Sequence, residues 1–401
     1  MILTTFHIIT LMLFGYLAIS TVYLMCFAIA GRLSARPSVN SGRSRDVIIL
    51  IPAYREDAII LNTARSAVKH QYAGGKMRVV VIADSLRAST LAELQAAGVE
   101  ILISDFEQGS KARSLHAAVK MIAPSENDFV VILDADNILE AGCLDKMNNA
   151  FSSGFKALQV HRTAKNTQTP IALLDAISEE INLNIFRRGA FNLGLSAAPM
   201  GSGMAFLNDV FIRIFSMEVM LTSMAEDREV ENYLLQNGIR LAFVDDAFVY
   251  DEKVSTAKAL KKQRVRWMEA QLNQLRYYWK TEKVKGQGSG QYYHTFFQTF
   301  LLPRVFYLLL TFLIMAAIAI SEVLHLNLLY PPHWVWLLLI CAYWLVLLIS
   351  VPEKFMNRRT IYAIMSLPSA ILAMLGALLK LKRERKEFIH TAKSFVGDER
   401  Q

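Results

Sequence analysis

Cysteine is scarce: Cys26, Cys143 and Cys341 are the three in 401 residues. None stands at metal-ligand or redox spacing, which argues against a disulfide framework and a zinc site. They read as small buried hydrophobes. Charge is scarce too, at 19% against roughly 25% in an ordinary soluble chain. With 53% hydrophobic residues and a mean hydropathy of +0.30, the chain is too apolar and too long for a disordered, collagenous or disulfide-stapled protein. No G-x-G-x-x-G follows its first strand-like run, and no G-x-x-x-x-G-K-[ST] occurs. Dinucleotide oxidoreductases and P-loop NTPases thereby lose most of their support. There is no internal repeat, and GQGSGQ at 286–291 is the one low-complexity tract. One large soluble domain plus a membrane part is the natural division at about 100–200 residues per domain.

Residues 1–31 hold no Lys, Arg, Asp or Glu, and a spanning helix needs about 20 apolar residues. Arg32, Arg36, Arg43 and Arg45 follow that run rather than precede it. This order indicates a retained anchor rather than a cleaved leader, with its C-terminal end cytoplasmic. Two further spans are expected at about 305–321 and 334–351. The loop between them lacks Lys and Arg, and EKFMNRRT after the second is basic, so the charge bias agrees at both loops. The uncharged stretch 360–379 contains Pro368 and is followed by KLKRERK. It is read as an interfacial helix, with a fourth span as the alternative. The net charge of +8 (43 − 35) then needs no nucleic acid, because much of it lies beside anionic lipid.

SVNSGRS at 38–44 has the composition of a linker. Beyond it, DVIILIPAY, MRVVVIAD, VEILISD and NDFVVILDAD read as buried strands, and the stretches between them have helical patterning. This alternation predicts an α/β fold with a mostly parallel sheet and helices on both faces. Ligands bind such sheets at the carboxyl ends of the strands. Tyr54, Arg55, Glu56, Asp84, Lys111, Asp134 and Asp136 gather there.

VVILDAD is the strongest single feature. On extended backbone Asp134 and Asp136, at i and i+2, point to the same side. Two such carboxylates repel each other unless a cation joins them. Mg2+ or Mn2+, held by one or two carboxylates and substrate phosphates, fits the pair. Asp84 can hydrogen-bond a base or ribose, or simply cap a helix. In MAEDREVENYLL, a helix N-terminus by itself explains Glu226 and Glu229. Asp227 is the better candidate base, able to take a proton from an acceptor hydroxyl. Glu226 is counted with it as catalytic. LKKQRVRWMEAQLNQLRYYW is basic, aromatic and helical, and suits a membrane surface. Within it, the planar fork of Arg266 suits a diphosphate, and Trp267 offers a flat face to a sugar.

The order IPAYRE, VIAD, GSKARSLHAA, LDAD, GSGMAF, AEDREVE, QRVRW resembles the processive family 2 glycosyltransferases. These are membrane enzymes of the cellulose, chitin, hyaluronan and poly-N-acetylglucosamine synthase group, with a GT-A catalytic fold. The resemblance covers about residues 45–280. It implies donor and nucleotide binding by Pro52, Tyr54, Glu56, Asp84, Lys111, Asp134, Gln263, Arg266 and Trp267. It implies a metal at Asp134 and Asp136, and acceptor binding by Gly201, Ser202, Gly203 and Trp267. Asp227 corresponds to the acid that deprotonates the acceptor. FIHTAK implies a gating loop with Phe388, His390, Thr391 and Lys393, although the usual tryptophan is absent. Ala-Asp-Ser at the end of the second strand departs from the common Asp-Asp.

The expected protein is therefore an integral membrane enzyme, of the bacterial inner membrane by analogy, with residues 45–280 cytoplasmic. Residues 1–31 form the anchor, and 281–401 the interface helices, spans and tail. It is expected to transfer a hexosyl or N-acetylhexosaminyl group from a UDP-sugar to a growing β-linked polysaccharide, with export. The alternative acceptor is a membrane lipid, favoured by the small membrane part. A transporter with a nucleotide-sensing domain would need ionisable residues in its spans and repeated halves, and shows neither. Intact DAD and AED motifs count against an inert scaffold.

Overall fold

The computed structural model describes residues 2–33, 43–104, 106, 109–280, 289–326 and 328–378. The chain opens with α1 (Ile2–Ala30) and then alternates. The first half of the alternation is β1 (Val47–Tyr54), α2 (Ile60–Lys69), β2 (Met77–Asp84), α3 (Ala88–Ala96), β3 (Glu100–Ile103), α4 (Lys111–Ala118) and β4 (Phe129–Ile132). β5 (Ile138–Leu139), α5 (Cys143–Ser152), β6 (Ala157–Ala164) and α6 (Pro170–Leu183) follow. α6 passes through a π turn at Asn184–Gly189 into α7 (Ala190–Asn192). Then come β7 (Met204–Leu207), α8 (Asn208–Phe215), α9 (Glu226–Gln236) and β8 (Leu241–Asp251). The chain continues with α10 (Ala257–Lys280), α11 (Ser289–Phe300), α12 (Arg304–Val323), α13 (His333–Ser350), α14 (Arg358–Ile364) and α15 (Leu367–Leu378).

Among the described residues eight strands form one sheet in the order β3-β2-β1-β4-β7-β6-β8-β5. β7 is antiparallel to β4 and β6, and β5 to β8, while the other pairings are parallel. The mostly parallel sheet expected from the alternation is present. Its continuous Val/Ile runs are covered on both faces, so Ile49, Leu50, Ile51, Val80 and Val81 are fully buried. β1 lies between β2 and β4, so the strand order reverses there and opens a crevice at the carboxyl ends. Tyr54 pairs with Asp84 at that edge. The next residues, Arg55 and Ser85, take left-handed backbone with φ of 54° and 57°. Non-glycine residues hold such angles at a cost, and they cluster at functional sites.

Among the described residues, three helices are long and apolar enough to cross a membrane: Thr4–Ala30, Arg304–Val323 and His333–Ser350. They pack through Leu17, Tyr307, Trp336, Ile340 and Tyr343. The Tyr307 and Tyr343 rings stack at 3.9 Å, and the Tyr307 hydroxyl donates to Leu17 O at 2.7 Å. The end of α1 docks on the π turn, where Asn184 Nδ2 donates to Ala28 O at 3.0 Å. That approach needs glycine: a Cβ on Gly189 would stand 2.2 Å from Phe27 O.

Two expectations are corrected here. The stretch 360–379 is not one helix: the chain breaks at Met365 and Ser366, and Pro368 sits in the first turn of α15, where its missing N–H leaves no helical hydrogen bond unmade. Among the described residues neither piece is long enough to span. Of the cysteines, Cys143 is buried, but Cys26 and Cys341 are exposed because they lie on outward faces of α1 and α13. Residues 38–42 of the expected linker and the KLKRERK cluster lie outside the described residues.

An ionic network centred on buried His161 and Glu180 ties the sheet to the chain after α13. His161 Nδ1 meets Asp245 at 3.0 Å, its Nε2 meets Glu180 at 3.1 Å, and Lys354 Nζ pairs with Glu180 at 2.7 Å. Burial pushes His161 down, but hydrogen bonds to Asp245 and Glu180 outweigh it and leave the imidazole above its ordinary 6.5. Its contribution to stability is therefore complete below 6.5 and is lost as pH rises through the raised value. Burial pushes Glu180 up, but His161 and Lys354 bring it down to about 2 from 4.5. That contribution is present above 4.5 and lost as pH falls toward 2. The melting temperature of the detergent-purified protein should peak between pH 4.5 and 6.5 and decline on the alkaline side. His161→Gln should flatten the alkaline arm; a wild-type curve level up to pH 9 or so would contradict this.

Candidate active site

A cavity of about 800 Å3 opens at the carboxyl ends of β1 and β4 and extends to the ends of the apolar helices. Each wall is positioned by a nearby element. Ser110 caps α4, its side chain accepting from Arg113 N at 3.2 Å, and this sets Lys111 on the first turn. Lys111 Nζ pairs with Asp134 and lies 3.4 Å from Glu226, and it donates to Gly201 O at 2.7 Å. Three candidate groups from distant parts of the chain thus meet on one ammonium. Burial pushes Lys111 down, but the two carboxylates more than reverse it, so it stays charged. Burial raises Glu226, opposed by Lys111 and reinforced by Asp227 and Asp134.

The Asp134–Asp136 pair departs from expectation. β4 ends at Ile132, and Asp134 to Asn137 form a turn closed by Asn137 N donating to Asp134 O at 3.0 Å. On a turn, i and i+2 do not share a side. Asp134 reaches the cavity wall. Asp136 is buried behind it, accepting from Asn137 Nδ2 and Glu252 N, each at 3.2 Å. Ser202 is also buried: its hydroxyl donates to Asn137 Oδ1 and accepts from Asp134 N at 3.1 Å. It ties the acceptor-side loop to the aspartate turn. Gly201 lines the cavity at φ +80°, a conformation that favours glycine, while Gly203 immediately precedes β7.

Pro52, Tyr54, Glu56, Glu226, Asp227, Gln263, Arg266 and Trp267 all line the cavity. Asp227 Oδ1 accepts from Arg228 N at 3.0 Å at the start of α9. Trp267 is 40% exposed, with the Arg264 guanidinium 4.2 Å from its ring centroid. Burial lowers Arg266, while Glu226 and Asp134 pull it back up. Asp84 is buried behind the wall and does not cap α3, whose cap is Arg87. A Cβ on Gly109 would meet Asp84 Oδ2 at 2.1 Å, so glycine lets the wall close on this acid. The gating-loop residues Phe388, His390, Thr391 and Lys393 lie outside the described residues.

Sequence reasoning missed a second set of charges in the same cavity. Arg162 makes a bidentate pair with Glu179, at 2.8 and 3.1 Å, and donates to Met200 O at 3.3 Å. Lys253 Nζ lies 2.6 Å from both Glu179 and Asp251. Burial raises Asp251 to about 6, with Lys253 opposing. The signal was the four-residue spacing of Asp175 and Glu179, which puts two acids on one face of α6.

This sheet, with an acid-bearing turn at its switch point, defines a GT-A glycosyltransferase fold. The chain belongs to the glycosyltransferase like family 2, whose model matches residues 44–270. Among solved structures, it is similar to a mannosyltransferase from Pyrobaculum calidifontis in complex with GDP-Man and Mn2+. That likeness has a TM-score of 0.56 and 16% identity, covering 92% of this chain and 100% of the other. Glucosyl-3-phosphoglycerate synthase from Mycobacterium tuberculosis, in complex with Mn2+, uridine-diphosphate and glucosyl-3-phosphoglycerate, is more distant. Its TM-score is 0.38, with 14% identity over 60% of this chain and 86% of the other. No curated protein matches the sequence.

Proposed function

We propose that the chain is a membrane-embedded inverting glycosyltransferase that uses a UDP-sugar and a divalent metal, and whose acceptor enters from the membrane side. The carrying observation is one cavity that joins the Lys111–Asp134–Glu226 cluster to the ends of three apolar helices. The basic residues that follow the first and third spans support a cytoplasmic site.

A hard cation takes one or two carboxylates and fills its remaining positions with phosphate oxygens and water. Asp134 on the wall would hold it, and Asp136, whose two oxygens accept from Asn137 and Glu252, would fix the turn that presents Asp134. The ammonium of Lys111 between Asp134 and Glu226 supports this fit, since the spot already accommodates a cation. Mn2+ in the mannosyltransferase complex agrees with it. When bound, the metal neutralises charge on the departing diphosphate. Arg266 adds a planar donor set for phosphate, and Trp267 a face for the sugar ring. Asp227 takes the acceptor's proton as its oxygen attacks the anomeric carbon. The bond to the diphosphate breaks on the opposite face, and UDP leaves with the electron pair. The product is β-linked when the donor is α-linked.

Packing favours a membrane lipid as the acceptor. The interface of α1, α12 and α13 is filled by Leu17, Tyr307, Trp336 and Tyr343, each at most 3% exposed. An exported polymer would need an open path there. Elongation and export of a β-linked polysaccharide is the second reading, supported by Q-x-x-R-W at Gln263, Arg266 and Trp267. Membranes containing the protein, given labelled UDP-hexoses and UDP-N-acetylhexosamines, should yield a small product that partitions into organic solvent. High-molecular-weight, water-soluble product would establish the second reading instead.

A further inference from the structure

We infer that Arg304, with Arg264 beside it, forms an anion subsite that holds the phosphate of a phosphate-bearing lipid; this rests on the lipid-acceptor reading above. Both arginines line the cavity, Arg304 where α12 begins and Arg264 on α10. Among the cavity's other arginines, Arg162 pairs with Glu179, Arg228 with Glu231, and Arg266 is attracted by the Glu226 and Asp134 carboxylates. Arg264 pairs with Asp175, so its charge is already matched. Arg304 differs. It donates to Ser178 O at 3.1 Å, Ser178 Oγ at 2.9 Å and Asn182 Oδ1, all neutral acceptors. Among the described residues no carboxylate lies within ion-pair distance of it. Arg187 also lacks one, but it donates to the carbonyls of Ala198 and Pro199.

A guanidinium on a cavity wall without a counter-ion favours an anionic ligand, and its planar fork matches phosphate. The surroundings select which anion. Leu24, Tyr307 and Val346, one from each apolar helix, line the same cavity. Arg304 is itself the first residue of α12, and Val305 to Ser321 carry no charge. An anion bound there sits at the polar edge of an apolar helix bundle, the level of lipid phosphates, and basic pockets at such edges bind lipid head groups. Trp267 lines the same cavity, with the Arg264 guanidinium over its ring. The ligand is thus an amphiphile: apolar tail, phosphate at Arg304, and acceptor end toward Asp227.

The test is calorimetric binding to the full-length protein in detergent, with farnesyl phosphate, farnesol and inorganic phosphate as probes. Farnesyl phosphate should bind at least about tenfold tighter than farnesol, and Arg304→Gln should shrink that gap to about threefold or less. UDP titration of the same samples reports whether the donor end is folded. Should Arg304→Gln misfold, Arg304→Lys, which keeps the charge but loses the fork, should narrow the gap partly. Equal binding of farnesyl phosphate and farnesol would overturn the subsite but leave a lipid acceptor standing. Inorganic phosphate competing as well as farnesyl phosphate would make it a free-anion site and overturn the lipid assignment. Failure of both lipids to bind, with long polymer as product, would overturn the lipid-acceptor reading as well.

Discussion

Asp227→Asn should reduce sugar transfer by roughly 10²–10⁴-fold, the usual contribution of a positioned general base. The side chain lines the cavity at the first turn of α9, beside Glu226 and facing the same space as Trp267. Asparagine keeps the shape and the contact with Arg228 N but accepts no proton. kcat and kcat/KM should therefore fall together, as expected when an interaction made only in the transition state is lost. Glu226→Gln should behave differently. Glu226 faces the Lys111 ammonium at 3.4 Å, so its loss unbalances a charge cluster rather than removing the base. Its effect should be smaller and should fall partly on KM for the donor. Steady-state kinetics of both variants with one donor separates the roles; equal, small losses in both would remove Asp227 from the base position.

The second large effect belongs to the aspartate turn. Chelation should stop turnover, and Mn2+ or Mg2+ should restore it. Asp134→Asn should cost about 4 kcal/mol of transition-state stabilisation, roughly 10³-fold, since a bound metal contributes several kcal/mol to a departing charge. Asp134 also holds Lys111, so its loss frees the ammonium toward Glu226. Asp136→Asn should act through the turn, because both its oxygens already accept protein donors. Activity measured against metal concentration distinguishes these cases. A higher metal requirement in Asp134→Asn is expected; full activity in EDTA for the wild type would contradict a metal-assisted reaction.

The parallel half of the sheet was legible in the sequence because a strand buried on both faces is written as an unbroken apolar run. DVIILIPAY and MRVVVIAD each became a strand within a residue of expectation. The meeting of Lys111, Asp134 and Glu226 was legible only as three separate candidates, since the contact depends on strand order. The aspartate turn was misjudged because alternation holds only while the backbone stays extended, and β4 stops two residues before Asp134. The Arg162–Glu179 pair was invisible for a related reason. Acids on one face of α6 show a polar stripe, but their partner sits on β6 and is brought there by the tertiary fold. Buried Ser202 and Asp84 show the same limit: a motif marks a neighbourhood, not which side chain faces the ligand.

Release of UDP by the detergent-purified full-length protein is the most direct measurement, with several UDP-sugars, Mn2+ or Mg2+, and a membrane lipid extract as acceptor source. Metal-dependent release from at least one donor, lost in Asp227→Asn, is the predicted result. Release that persists unchanged in both Asp134→Asn and Asp227→Asn, or no release from any nucleoside diphosphate sugar in the presence of lipid, would contradict a family 2 transferase acting at this cavity.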